Sequence, residues 1–326
     1  MKNEGVMRSG VVLVSAVAGD IGASVVRSLV GTGYTIIGCD IKTYSPVSDI
    51  VDQYYVVPSA SERESYIDAI KDIIKEQNVN FLLPISEPEI ELVNAKRYEF
   101  EELDTRLLLN NKKILDIFLD KQKTALYLNS IGIRVPTTVP LKEYEGDLDF
   151  PLIVKLRRGC GSRSIWKVEN LNDLVYLKNK DTGSFIVQQY IGFAEEEFTT
   201  GVFSDGRNVS SITFRRILGV DGTTLEVLLS NEEYLNGIAE SIAKATDLVG
   251  YINIQSRRVG DIFLPFEINP RISGTILFRK KFGFDDVIWW IDVLSGGTYI
   301  YKPLYKSGRA MRYYSELFFD MVKISE

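Results

Sequence analysis

A chain of 326 residues, 45% hydrophobic and with a formal charge of -6, is long enough for two or three packed units with a real core. The acidic balance argues against a dedicated nucleic-acid binder, which needs clustered Lys and Arg, and no apolar run approaches the roughly 20 residues that span a bilayer. There is no histidine, which excludes a Ser-His-Asp triad, a Cys-His pair and a His-ligated zinc, so chemistry must run on carboxylates, Lys, Arg, backbone dipoles or metal ions held by oxygen.

The first segment, MKNEGVMRSG, lacks the apolar stretch of a secretory signal, and Cys39 and Cys160 lie far apart in the sequence. A cytoplasmic location with free thiols is therefore expected. Residues 11–16, VVLVSA, read as a buried strand, residues 21–29 as a helix stopped by GTG, and YTIIGCD at 34–40 as a second strand. YYVVP at 54–58 is a third strand. SERESYIDAIKDIIKEQN is an amphipathic helix with Ile67, Ile70, Ile73 and Ile74 on one face and Ser59 or Ser61 as its N-cap. NFLLPIS at 80–86 is a fourth strand. This alternation predicts a doubly wound parallel sheet over 1–112.

After residue 112 the pattern changes. LDKQKTALYLNSIGIRVP reads as one helix ended by Gly132, followed by the strands FPLIVKL, SIWKV and SFIVQQYI. Residues 113–191 are taken as one lobe and 192–326 as another. The second lobe has longer strands (EEFTTGVFS, VSSITFRRIL, TTLEVLLS, YINIQSRRV, IFLPFEINP) and helices near 232–247 and 283–295. The expected class is α/β plus α+β, with antiparallel sheet in the second part. The aromatic-rich tail (Trp289, Trp290, Tyr299, Tyr301, Tyr305, Tyr313, Tyr314) is suited either to core packing or to a homodimer interface.

Two stretches invite a functional reading early. SAVAGDIGASVV joins a strand to a helix with Gly19 and Gly22, and Asp40 ends the next strand, which mimics a dinucleotide fingerprint. Val17 stands where the first glycine belongs, so an NAD-dependent oxidoreductase is carried as the weakest alternative to a plain tight turn. In LPISEPE, Ser86, Glu87 and Glu89 follow a strand end, where open sheets bind ligands. An amine site and a helix N-terminus favoured by the dipole explain them equally well.

The chemistry concentrates further on. In FEINPRISG, alternation along a strand puts Glu267, Asn269 and Arg271 on one side. A carboxylate beside an amide oxygen suits Mg²⁺, and an arginine next to them suits phosphate or carboxylate oxygens. The strand YINIQ offers Asn253 and Gln255 in alternation, with Gln255 able to complete the metal shell. FPLIVKLRRGCGS places Lys155 inside an apolar strand, where its ammonium needs a partner, and a phosphate supplies one. The glycine-containing loop after it offers backbone N–H groups to the remaining phosphate oxygens. Cys160, with no histidine to activate it, is a bystander.

In order, these segments resemble the ATP-grasp superfamily, most of all its carbamoyl phosphate synthetase large-subunit and pyrrolysine-biosynthesis ligase group, over nearly the whole chain. The resemblance implies a doubly wound N-terminal domain followed by a two-lobed ATP-grasp domain. It implies Lys121 and Lys155 on the nucleotide phosphates, with Gly159, Gly161 and Ser162 in the loop above them. Gln189, Tyr190 and Ile191 would line the adenine, and Glu197 the ribose, with Glu195 and Glu196 as register alternatives. Gln255, Glu267 and Asn269 would hold Mg²⁺, expected as two ions with Mn²⁺ an acceptable substitute, and Arg271 would steady the acyl phosphate. Lys155 and Arg271 are thus the expected catalytic pair. The implied activity is ATP-dependent ligation of a small-molecule carboxylate to an amine or another nucleophile; an ATP-binding regulatory module without turnover is the alternative. Gln189 stands where this group commonly has Glu, and the chain holds one ATP-grasp unit where the synthetase subunit has two. Arg215 and Arg216 alternate on their strand, so a cleft position for one of them and an exposed edge strand explain the pair equally well. The ligase reading requires Glu267 and Lys155 to share one cavity.

Overall fold

The computed structural model describes residues 8–159, 164–220, 222–313 and 315–317. Its first unit runs β1 (Val11–Val14), α1 (Asp20–Leu29), β2 (Thr35–Asp40), β3 (Gln53–Val56), α2 (Arg63–Gln77), β4 (Phe81–Leu83), α3 (Glu87–Ala95), α4 (Arg97–Glu101) and β5 (Arg106–Leu107). The strands pair in parallel in the order β3-β2-β1-β4-β5, the doubly wound arrangement that the strand–helix alternation predicts. Central β1 has apolar side chains on both faces because helices cover both. On α2, Ile67, Ile70, Ile73 and Ile74 face inward, and Asn78 ends the helix in the left-handed conformation. Neither Ser59 nor Ser61 caps α2; Glu62 is the N-cap residue, with no side-chain bond. Ser59 instead binds Ser61 within the preceding turn, because the helix begins at Arg63, one residue later than Ser61 as N-cap requires and three later than Ser59 does.

The glycine turn before α1 has a structural explanation. A Cβ on Gly22 would lie 2.3 Å from the Ala16 carbonyl oxygen, so only glycine lets the helix approach the strand this closely. Asp40 accepts N–H bonds from Ala18 (2.8 Å) and Lys42 (3.0 Å). It thereby clamps the turn with the carboxylate that a dinucleotide site would need for ribose.

The chain continues through α5 (Lys112–Phe118), α6 (Lys121–Ser130), β6 (Thr138–Pro140), β7 (Leu152–Leu156), β8 (Ile165–Val168), α7 (Leu171–Lys180) and β9 (Phe185–Gln189). The segment expected as one helix follows a separate short one, α5. Asp120 breaks the chain there by accepting the N–H groups of Gln122 and Lys123, both at 3.1 Å, as the N-cap of α6. Strands β6-β9-β7-β8 form a four-stranded antiparallel sheet with its own small core around Leu152, Val154, Leu174 and Val187. Ile114, Phe118 and Leu128 of α5 and α6 pack instead into the core of the next sheet.

That sheet is built from β10 (Glu197–Asp205), β11 (Val209–Leu218), β12 (Thr224–Ser230), β13 (Val249–Val259), β14 (Ile262–Asn269) and β15 (Arg309–Met311), in the order β14-β13-β10-β11-β12-β15. Three further helices, α8 (Glu233–Thr246), α9 (Ile276–Lys281) and α10 (Asp286–Leu294), complete the chain. The helix expected over 283–295 is α10, and α9 precedes it. Trp289, Trp290 and Tyr299 are buried, Tyr301 partly so, while Tyr305 and Tyr313 are exposed; Tyr314 lies outside the described residues. Most of the aromatic tail is therefore core. Among the described residues, no helix is long and apolar enough to cross a membrane.

Candidate active site

A cleft of about 1120 Å³ opens between the four-stranded and six-stranded sheets and reaches the glycine turn of the first unit. The residues that line it come from all three units: Lys155 from β7, Glu267 and Asn269 from β14, and Gly19 to Gly22 from the turn into α1.

Antiparallel pairing explains the polar end of the large sheet. Gln255 of β13 stands opposite Glu267 of β14, and Asn253 opposite Asn269. The register jumps between Gln255 and Ser256, which face Glu267 and Pro265, so Phe266 is the extra residue of a bulge. The bulge lets Phe266 and Glu267, although consecutive, both line the cleft, while Ile268 stays in the core.

Lys155 crosses from the opposite sheet. It is 4% exposed, and its Nζ lies 3.6 Å from Glu267 Oε2 and 5.4 Å from the Phe266 ring centre. Burial pushes its pKa down to about 8, against the upward pull of Glu267 and with a further push down from Lys121. Glu267 has the opposite balance. Burial raises its pKa, but Lys121, Lys155, Arg271 and Arg216 together outweigh burial and hold the carboxyl below its usual range. This is a pocket of excess positive charge around one carboxylate. Lys121, at the start of α6, donates to the Gly159 carbonyl at 2.7 Å, which ties the helix to the loop after β7.

The other expected residues fall along the same cleft. Gln189, Tyr190 and Ile191 line it at the end of β9, with the Arg257 guanidinium 5.3 Å from the Tyr190 ring centre and bonded to the Ile191 carbonyl at 3.2 Å. Glu197 is 3% exposed, and its two carboxylate oxygens are shared between Arg216 and Arg257, the latter at 2.9 and 3.0 Å. Glu196 is bound by Arg258 at 2.6 Å and faces Arg215 at 3.8 Å, outside the cleft. Arg216 is thus the member of its pair that lines the cleft; it also donates to Gln255 Oε1 at 3.0 Å. That bond engages the amide oxygen Gln255 would offer a metal; Glu267 and Asn269 also line the cleft, with Asn269 Nδ2 donating to Glu267 Oε1 at 3.4 Å. Gly161 and Ser162 lie outside the described residues, as does Cys160.

Arg271 follows β14. Its Nη1 donates to the Ile272 carbonyl at 3.1 Å, its Nη2 lies 3.8 Å from Glu87 Oε1, and its buried Nε has no partner among the described residues. The Ser86-to-Thr275 side of the cleft is held by hydrogen bonds. Ser86 and Glu89 form a capping box on α3, and Glu89 Oε2 also accepts from Ser15 at 2.8 Å. Arg279, fully buried on α9, donates to Ser273 (2.8 Å), Thr275 (2.7 Å) and Asp286 (2.6 Å) and so fixes the turn after Arg271. Arg257, Phe266 and Arg279 were not singled out by the sequence. The one available signal was the Arg-Arg doublets of SITFRRI and YINIQSRRV, each placing one arginine beside the acidic start of β10.

Two family models match the chain. One is described as the PylC-like N-terminal domain and covers residues 19–108; the other, described as ATP-grasp in the biosynthetic pathway with Ter operon, covers residues 182–316. A carbamoyl-phosphate synthase of Methanobrevibacter smithii is 30% identical over 133 residues, 39% of this chain and 35% of that protein. The chain thus spans about a third of that relative's length. N5-carboxyaminoimidazole synthetase from Staphylococcus aureus, complexed with ADP, has a TM-score of 0.74 at 14% identity, covering 93% of this chain and 82% of that one. The biotin carboxylase domain dimer of Hydrogenobacter thermophilus 2-oxoglutarate carboxylase, with MgADP, ADP and bicarbonate, has a TM-score of 0.72 at 18% identity, covering 90% and 71%. Both structural likenesses are likenesses of fold.

Proposed function

From a chain that belongs to the ATP-grasp superfamily, we infer an ATP- and Mg²⁺-dependent ligase that activates a small-molecule carboxylate as an acyl phosphate for attack by an amine or another nucleophile. The observation that carries this reading is Lys155 from one sheet standing 3.6 Å from Glu267 of the other, inside a cleft that also collects Lys121 and Arg271. Phosphoryl transfer is mainly positioning and charge neutralisation, so three cations around a cleft suit it without any histidine.

Lys155 and Lys121 neutralise the nonbridging phosphate oxygens, and Gly159, Gly161 and Ser162 cover them from the loop. Gln189, Tyr190 and Ile191 receive the adenine. Glu197 serves the ribose with whatever acceptor capacity Arg216 and Arg257 leave it. Arg271 steadies the acyl phosphate as charge builds on it. The donor set fits Mg²⁺: Glu267 is kept ionised by its neighbours, Asn269 stands beside it, and nucleotide phosphates would supply further oxygen ligands. Glu267 and Asn269, joined by Gln255, would hold the ions, proposed as two, and Mn²⁺ would substitute. Such ions would supply the charge neutralisation between phosphates that one lysine cannot. A homodimer is the proposed assembly, resting on the exposed Tyr305 and Tyr313 of the tail.

The test is ADP release against a panel of amino acids and small carboxylates with Mg²⁺, with hydroxylamine present to trap an acyl phosphate as hydroxamate. Wild type should form both products, and Glu267→Gln should lose both while still melting cooperatively. Nucleotide binding without ADP release under any condition would point instead to a regulatory module.

A further inference from the structure

Before an amine attacks an acyl phosphate it must lose a proton, and this chain has no histidine to take it. The carboxylates around the cleft are mostly committed. Glu267 faces Lys155 and is held ionised by its neighbours; Glu197 is chelated by Arg216 and Arg257; Asp120 caps α6 and binds Arg157 at 2.8 Å; Asp20 is paired with Arg312. Lys155, at about 8, is mostly protonated at neutral pH and cannot serve as the acceptor.

Glu87 is different. It is the first residue of α3 in the N-terminal unit, it follows Ser86, which lines the cleft, and its side chain is only 12% exposed. Its nearest cation among the described residues, Arg271, stands at 3.8 Å, too far for a hydrogen bond. The buried Nε of the same Arg271 also has no partner among the described residues. A carboxylate and a guanidinium 3.8 Å apart, with no hydrogen bond between them, each keep hydrogen-bonding capacity that a substrate at this end of the cleft can use.

We propose that Glu87 receives the ammonium group of the nucleophile and accepts its proton, and that Arg271 holds the acyl phosphate beside it. The inference rests on the ligase reading above. One N–H bond breaks as an O–H bond forms on Glu87, which leaves the nitrogen lone pair free. That pair forms the C–N bond while the bond from the acyl carbon to the phosphate oxygen breaks. The second nitrogen proton leaves with the phosphate, and Glu87 returns its own proton to water.

The electrostatics fit the role. Burial raises the Glu87 pKa; Arg271 and Lys121 lower it; Glu267 and Glu91 raise it again, and the net shift is upward. These groups come from the turn after β14, from α6, from β14 and from α3 itself. A carboxylate raised this way is a better proton acceptor than an exposed one. The upward shift also puts the acid limb of the rate profile above the usual carboxylate range.

The experiment compares wild type, Glu87→Gln and Glu87→Asp, with methylamine or hydroxylamine as nucleophile and the carboxylate panel as acyl donor. Hydroxylamine is already neutral at pH 7 and needs no base. With methylamine, Glu87→Gln should lose about 10²–10⁴-fold in kcat/KM, the usual worth of a general base, and should lose the acid limb as well. Glu87→Asp should keep the limb at reduced rate. Hydroxylamine should restore acyl transfer in Glu87→Gln. If Glu87→Gln uses methylamine as wild type does, with its acid limb intact, the proposal is overturned. It is equally overturned if both nucleophiles fail in a variant that melts like wild type, because Glu87 would then serve carboxylate activation. Should wild type itself give no ADP with either nucleophile, the ligase reading falls, and that result is distinct from the other two.

Discussion

Lys155 shows what burial does to one residue. An ammonium 4% exposed, with one carboxylate at 3.6 Å, is poorly solvated, and its pKa falls to about 8. The shift makes a pH prediction for nucleotide binding. A phosphate favours the charged lysine, so bound nucleotide raises the pKa that burial lowered. Binding must then take up a proton above pH 8, and affinity for ADP should fall by up to tenfold per pH unit from 8 towards 10. Calorimetry in buffers of different ionisation enthalpy measures this uptake, and Lys155→Arg, charged throughout, should remove it. A flat affinity from pH 7 to 9.5 in wild type would contradict the assignment. For stability the sign is opposite to that of a salt-bridged lysine. The unfolded chain binds the proton more tightly, so the penalty is present in full below pH 8 and is relieved as pH rises towards 10.5. Lys155 was legible in the sequence because a lysine inside FPLIVKL needs a reason. The chelation of Glu197 by Arg216 and Arg257 was not, because it depends on which strands become neighbours, and β11 and β13 flank β10 only in the folded sheet.

Among the elements, α9 was the least legible. ILFRKK offers three consecutive basic residues, which read as solvated surface, yet Arg279 is the largest fully buried side chain in the structure. Its partner Asp286 sits on α10, and its guanidinium also lies 4.5 Å from the Tyr251 ring centre. No periodicity reveals a helix whose buried face is an ion pair. The strands were easier, because alternation in FEINPR and continuity in VVLV each have one physical reading. Arg279→Met should therefore be costly: it strands a buried carboxylate, a change worth about 3–5 kcal/mol. Burial already pushes the Asp286 carboxyl up, against the pull of Arg279, and removing that pull pushes it further. A carboxyl with a raised folded pKa loses stability as pH rises through the window above its unfolded value. The deficit of Arg279→Met should then be largest at pH 7.5 and shrink towards pH 5, as read by urea unfolding at both. Adding Asp286→Asn should recover part of the loss at pH 7.5. A pH-independent deficit would mean that packing, not the unpaired charge, dominates.

At the scale of the whole molecule, the boundary near residue 112 marks a change of sheet type but not a break in the core. One cluster of buried residues joins Val12, Ala23 and Val26 of the first unit to Phe203, Ile276, Phe278 and Trp290 of the last. Helix α1 lies against α9, Asn110 donates to the Tyr251 and Pro270 carbonyls at 2.7 and 2.9 Å, and Arg8 reaches Asp292 at 2.9 Å. The four-stranded sheet, by contrast, has a core of its own. This division has a functional sense: Glu87 and Arg271 belong to units that share a core, so the gap between them is fixed, while Lys155 rides on the separate lobe. It also predicts how the chain tolerates cutting. Each large apolar side chain exposed by removing the first unit forfeits about 1.5–3 kcal/mol, and a handful of them rivals the ~5–15 kcal/mol by which a domain is stable. A chain starting at residue 113 should therefore aggregate or melt without cooperativity, although the segment matched by the ATP-grasp model, residues 182–316, remains in it. Size-exclusion chromatography and a thermal melt decide the matter: a monodisperse product with a sharp transition would show that the joint core is dispensable, and the fixed Glu87–Arg271 gap would lose its structural basis.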